Sequence, residues 1–211
     1  ILFGAVTDPL AADLVDSMEK PGANVTGTSD AANMDKQFSI FKALDPSIEK
    51  IGIIYTADEA NSLAQLKEAE GKAKEYGYKI LSKSITQLSD LPQIAQSMVD
   101  EADAFYILSD NKIASSITVL SDILREKKKI SVSAEESQVK GGILISDSLS
   151  YRNLGFQTGE MAKQILVDKL DPGQMPVQMT KETKNIVNRE TLEILGIDKD
   201  LQVIKDSEKI E

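Results

Sequence analysis

The sequence predicts an α/β fold built on doubly wound parallel sheets. Short apolar runs, such as Ile51-Gly52-Ile53-Ile54-Tyr55 and Ala104 to Leu108, alternate with stretches whose apolar residues recur at helical spacing. Runs that stay apolar without alternation suit strands buried on both faces, with helices as the cover. The links that follow these runs are repeatedly polar: Thr7-Asp8, Thr28-Ser29-Asp30, Tyr55-Thr56, Ser109-Asp110-Asn111, Glu135-Glu136 and Ser146-Asp147. Open parallel sheets bind ligands beyond the carboxyl ends of their strands, where such links lie.

Ile1 to Val6 is the first apolar run and reads as a buried strand. Such a strand makes a poor chain terminus, so an N-terminal segment is expected to be missing. Asp8 is placed to cap, and Pro9 to open, a helix with Leu10, Leu14, Val15 and Met18 inward; Pro21-Gly22 stops it. Val25 to Thr28 reads as a strand, and Ser29-Asp30 precede a helix carrying Met34, Phe38, Phe41 and Leu44 that ends at Pro46. After the strand at 51–55, Leu63, Leu66, Ala69, Ala73 and Tyr76 mark a helix from Asp58 to Tyr76, with Gly77 placed to close it.

Tyr78 to Ser82 is a strand, Asp90 to Val99 a helix with Pro92 in its first turn, and Ala104 to Leu108 a strand. Ile113, Ile117, Leu120 and Leu124 mark the next helix, and Lys127-Lys128-Lys129 suit the negative end of its dipole. Strands are expected at Ile130 to Ser133 and Gly142 to Ile145, and a helix from Tyr151 to Leu166. A loop from Asp171 to Thr180 leads to a short strand; Ile186 to Asn188 and a helix around Leu192 and Leu195 finish the chain.

Composition narrows the function. The 211 residues are 41% hydrophobic and 27% charged, enough for one large domain or two modest lobes. A net charge of −10 argues against nucleic acid as a partner. The chain has no Cys, His or Trp, so disulfides, thiolate nucleophiles, Cys/His zinc sites and His-based triads are all excluded. That leaves an enzyme only carboxylates, Lys, Tyr and Ser/Thr. Neither a catalytic role nor a cofactor or metal is expected. No apolar run approaches the ~20 residues that span a bilayer.

Gly22-x-x-x-x-Gly27-Thr28-Ser29 has the spacing of a phosphate-binding loop, but threonine stands where the phosphate-binding lysine belongs. The glycines of such a loop also follow a strand, whereas Gly22 is expected to end a helix. No G-x-G-x-x-G is present, so a dinucleotide fold lacks its signature.

Taken in collinear order, FGAVTDPLAADLV, EKPGANVTGTSD, KIGIIYTADEANS, ILSDNKIASS, SAEESQVKGG and YRNLGFQTGEMAKQIL resemble the extracytoplasmic substrate-binding proteins of ABC importers that carry tryptophan or tyrosine. The resemblance covers nearly the whole chain. It implies two α/β lobes of the type I periplasmic-binding architecture, joined by hinge crossovers and closing on a ligand held between them. The first lobe would be incomplete, lacking a signal or lipoprotein segment and further strand–helix units. Residues 1–45 and 147–177 would form the first lobe, and 46–146 and 178–211 the second. The implied protein is an extracytoplasmic monomer, periplasmic or lipid-anchored, that delivers its ligand to a membrane permease.

A free amino acid presents a carboxylate, an ammonium and a side chain. Hydroxyls and backbone N–H groups at a helix N-terminus suit the carboxylate, which points to Thr7 beside Asp8, and to Ser29. The ammonium needs an acceptor. Glu135, Glu136, Asp110 and Asp30 are candidates, and the resemblance favours Glu135 or Glu136 by position. Tyr55 and Tyr151 suit a flat wall for an aromatic side chain. Glu59, Asn61 and Ser62 match a block that the family keeps beside Tyr55, and Ser109 and Asn111 flank Asp110. Each Ser, Asp or Asn here equally suits a helix cap, and Tyr151 equally suits packing at a helix start.

Thr56-Ala57 stands where relatives often carry Asn-Pro, and Ser148-Leu149-Ser150 precedes Tyr151 where the family differs. Both touch the specificity wall, so the choice among tryptophan, tyrosine and phenylalanine stays open. The alternative is a LacI-type effector-binding domain for a sugar or nucleobase. Asp/Arg pairs would favour it, yet Arg125, Arg152 and Arg189 are scattered. A carboxylate glycosidase would need two acids ~5–10 Å apart.

Overall fold

In the computed structural model, which describes residues 1–31, 33–180 and 182–211, the chain divides into two compact units. Unit 1 comprises Ile1–Ala32 and Leu149–Thr183, and unit 2 comprises Asn33–Ser148 and Lys184–Glu211. Both are α/β with parallel strands, as expected from the sequence.

Unit 1 is built around β2 (Thr26–Ser29), which lies between β1 (Leu2–Phe3) and β8 (Gln178–Met179) in a three-stranded sheet. Both pairings are parallel, with Leu2 opposite Thr26 and Thr28 opposite Gln178. All of β2 is buried, so its side-chain hydroxyls need partners inside the fold. Thr26 Oγ1 donates to the Met175 carbonyl at 2.8 Å. Thr28 Oγ1 meets Thr158 Oγ1 at 2.8 Å and so ties β2 to α7 (Tyr151–Leu166).

The N-terminal stretch differs from expectation. Only Leu2–Phe3 of the run Ile1 to Val6 forms a strand, and both residues are half-buried rather than sealed on two faces. Ala5 takes φ +55, which ends the strand. The helix expected from Pro9 is absent: residues 9–14 form turns, and Asp13 takes φ +52. A short helix depends on burying its apolar stripe, and here Leu10 and Leu14 remain exposed. Asp8 still caps, its Oδ1 accepting from the N–H groups of Leu10 (3.1 Å) and Ala11 (2.9 Å).

Unit 2 carries a seven-stranded sheet in the order β10-β9-β7-β6-β5-β3-β4. The strands are β3 (Lys50–Thr56), β4 (Lys79–Ile85), β5 (Ala104–Ile107), β6 (Ile130–Ser133), β7 (Ile145–Leu149), β9 (Thr183–Asn188) and β10 (Glu208–Ile210). Alternate residues of the central strands feed two apolar clusters. Ile51, Ile53, Ala104 and Tyr106 pack with Phe38 and Phe41 of α1 (Met34–Leu44) and Ala69 and Ala73 of α2 (Ala60–Tyr76). Ile54, Phe105 and Ile107 pack with α3 (Leu91–Met98), α4 (Asn111–Ser115) and α5 (Ile117–Glu126). Gly77 closes α2 in the left-handed region, as its position implied.

Three local differences have clear causes. The helix marked by Ile113 to Leu124 is two helices with Ser116 between them, on one continuous apolar face. An unanticipated α6 (Glu136–Lys140) follows β6, and the chain turns through Gly142 at φ +104 before β7 begins. Strand β7 therefore runs from Ile145, and Ser146 and Asp147 lie within it rather than after it. Helix α1, expected with the first lobe, belongs to unit 2, where Phe38 and Phe41 pack against Tyr78 and Tyr106. The units change over at 32/33, 148/149 and 183/184, against the 45/46, 146/147 and 177/178 read from the resemblance. Two short helices, α8 (Arg189–Leu195) and α9 (Gln202–Lys205), complete unit 2. Among the described residues no helix is long and apolar enough to cross a membrane.

The two glycines of the phosphate-loop spacing have separate backbone duties. Gly22 takes φ +84. A Cβ on Gly27 would lie 2.2 Å from the Phe3 carbonyl oxygen, so glycine is what lets β1 approach β2. Gly27→Ala should lower stability by ~1–3 kcal/mol as the strands separate, read as a drop in denaturant midpoint, while Gly71→Ala, with open space around it, should not destabilise.

Candidate functional site

At the carboxyl end of β2, Ser29 Oγ donates to the Thr7 carbonyl at 3.1 Å and accepts from the Ala31 N–H at 3.2 Å. Ser29 thus anchors the 7–14 turns and opens no helix; Asn33 caps α1 instead. With no helix after Thr7, the helix N-terminus expected to receive a ligand carboxylate there is missing. Asp30 follows, 9% exposed, and its Oδ2 accepts the Tyr151 phenol at 2.9 Å. Its Oδ1 is buried with no hydrogen-bond partner among the described residues. Tyr151, the first residue of α7, is 41% exposed, with its hydroxyl fixed and much of its ring open. Thr7, Asp8, Ser29, Asp30 and Tyr151 thus all fall within unit 1.

In unit 2 the structure brings together Glu59, Asn61, Ser62, Ser109, Asp110 and Asn111, as a clasp between the start of α2 and the link from β5 to α4. Asp110 is at its centre and 1% exposed. Its Oδ2 accepts from the Thr56 N–H and Ser62 Oγ, each at 2.7 Å. Its Oδ1 accepts from Thr56 Oγ1 at 2.8 Å and the Ile113 N–H at 2.9 Å. These bonds use the four acceptor sites of a carboxylate. Asp110, expected as a partner for a ligand ammonium, has none left to offer.

Around it, Glu59 covers the start of α4, accepting from the N–H groups of Asn111 (3.1 Å) and Lys112 (3.2 Å). Lys112 reaches Asp58 at 2.7 Å, and that ammonium holds the exposed Asp58 carboxyl below its usual range. Asn61 Nδ2 donates to the Ser109 carbonyl at 2.7 Å, and Gln65 makes a paired amide contact with Ser109 at 3.0 and 3.1 Å. Sequence reasoning missed Gln65, although it lies one helical turn after Asn61, and missed that Thr56 serves Asp110.

Tyr55 is half-buried inside β3 and packs against the apolar cluster that includes Ile51 and Tyr106. Glu135 is half-buried before α6 and accepts from Ser137 Oγ at 3.0 Å; Glu136 pairs with Lys140 at 2.6 Å. A further buried chain escaped the sequence altogether: the Tyr106 phenol donates to Gln37 Oε1, whose Nε2 donates to the Asp147 carbonyl at 2.9 Å. Full burial drives the Tyr106 phenol far above its ordinary range, so it remains a donor.

A family model described as ABC transporter substrate binding protein matches residues 1–210. The chain belongs to that family. It is 39% identical over 199 residues to the tyrosine-binding protein of Clostridioides difficile (strain R20291), an alignment covering 94% of this chain and 57% of the relative. The chain therefore spans little more than half of that relative's length. An ABC domain from Streptococcus pneumonia, solved in complex with L-Trp, is 30% identical at a TM-score of 0.91, with 100% of this chain and 71% of that chain covered. A LacI-family repressor from Corynebacterium glutamicum is 10% identical at a TM-score of 0.55, covering 77% of this chain and 66% of that one. That last likeness is one of fold alone. Membership of the substrate-binding family agrees with the fold read from the sequence.

The clasp of this family member is a stability element with a sharp test. Asp110→Ala leaves two backbone N–H groups and two hydroxyls without their acceptor, at ~1–3 kcal/mol for each buried orphan. A net loss of roughly 3–5 kcal/mol is expected for unit 2 in denaturant unfolding, against about 1 kcal/mol for Ser62→Ala.

Proposed function

We propose that the chain is the solute-capturing part of an ABC importer and that its ligand is a free amino acid with an aromatic side chain. The observation that carries the reading is the 39% identity over 199 residues with a tyrosine-binding protein. The L-Trp complex of a 30% identical structure supports the same ligand class. The role is capture and release rather than catalysis, outside the cytoplasmic membrane, as a monomer that hands its ligand to a membrane permease.

The chemistry of unit 1 agrees with this reading. Asp30 offers a buried carboxylate oxygen, and Tyr151 offers an open aromatic face whose hydroxyl is already engaged. Tyr55 is the second aromatic in the proposal. Glu135 and Glu136, placed beyond β6, remain proposed contributors from unit 2, alongside the Ser109–Asn111 link whose shape the clasp sets. No observation favours a sugar or nucleobase effector, since the likeness to LacI-type proteins is of fold.

Titration calorimetry with L-tyrosine, L-tryptophan, L-phenylalanine, an aliphatic amino acid, sugars and nucleosides checks the reading. At least one aromatic amino acid should bind roughly tenfold or more tighter than the aliphatic one, a difference of about 1.4 kcal/mol. Binding of a sugar or nucleoside with no amino-acid binding would overturn it.

A further inference from the structure

A buried polar atom without a partner is uncommon, because leaving water without replacement contacts carries a cost that folding normally avoids. Asp30 presents such an atom at the carboxyl end of β2, the central strand of unit 1. Its surroundings are one-sided. Oδ2 accepts from the Tyr151 hydroxyl at 2.9 Å, which fixes the rotation of the carboxylate, and Oδ1 is buried with no partner among the described residues. Asp30 is not among the acids that pair with Lys or Arg in the described residues.

Asp147 also has a buried oxygen, Oδ2, that accepts no hydrogen bond among the described residues, but it lies inside β7 rather than after it. The other acids that follow strands are differently placed. Asp110 has four donors, Glu136 has the Lys140 ammonium at 2.6 Å, and Glu135 accepts from Ser137. From this contrast we infer that Asp30 is the acceptor for the ligand's ammonium group and that Tyr151 positions it. The inference rests on the amino-acid reading and reverses the order of candidates that the resemblance favoured by position.

The donor set selects the ligand chemistry. An ammonium carries donors and no acceptor, so it fills Oδ1 without presenting a lone pair to it, and it offsets the charge of the carboxylate. A hydroxyl fills the oxygen but leaves the charge. An acylated amine keeps one N–H, loses the charge and adds bulk. Unit 1 is thereby specific for a free primary amine.

Calorimetry on the wild-type chain, Asp30→Asn and Tyr151→Phe, with L-tyrosine, L-tryptophan and the des-amino acid matching each, tests the inference. The wild type should prefer the amino acid to its des-amino partner by roughly 100-fold, and Asp30→Asn should lose most of that preference by weakening the amino acid alone. Tyr151→Phe should weaken the amino acid about fivefold, and by more than it weakens the des-amino partner. The ligand-free melting temperature of Asp30→Asn should equal or exceed that of the wild type, because the orphan oxygen stabilises nothing in the unliganded fold. Unchanged amino-acid affinity in Asp30→Asn overturns the inference, as does an equal loss of both ligands with a lowered melting temperature. A wild-type chain that binds a sugar or nucleoside and no amino acid overturns the functional reading itself, a result distinguishable from either of those.

Discussion

A single buried carboxylate holds the carboxyl end of the larger sheet in shape. Asp110 gathers a backbone N–H and a hydroxyl from Thr56, a hydroxyl from Ser62 and a backbone N–H from Ile113. It thereby fixes β3, α2 and α4 to one another at the level where the strands stop. Parallel strands expose their last polar groups together at that level, and the groups must be satisfied by side chains because the ladder ends there. The flanking contacts of Glu59, Asn61 and Gln65 follow the same logic. Polar residues clustered after strands are therefore first a structural requirement, and only those left incomplete are available for a ligand.

That distinction separates what the sequence showed from what it hid. The alternation of apolar runs and helical stripes located most elements of unit 2, because strands and helices there bury the faces their periodicity marks. It failed at residues 9–20, where Leu10 and Leu14 had the right spacing but remain exposed. It also failed at α6, a single short helix between β6 and β7 whose five residues carry too little pattern to read.

The candidate residues were legible as a set but not by role. Position after a strand identified both Asp30 and Asp110, and the same rule could not say that Asp110 is saturated while one oxygen of Asp30 has no hydrogen-bond partner among the described residues. Partners four or more residues away decide that: Ser62 for Asp110, and Tyr151 for Asp30, 121 positions along the chain. Thr158, facing Thr28 across 130 positions, is hidden in the same way.

Helix α7 holds one more consequence. It contains Gly155 and Gly159, each weakening a helix by about 1 kcal/mol relative to alanine, and Phe156 on its outer side is 64% exposed. Its inward residues Leu154 and Met161 are few. Two hydroxyl contacts, Tyr151 with Asp30 and Thr158 with Thr28, join its first half to the strand beneath. Those contacts couple the helix to the strand, so its amide protons should exchange together with those of β2.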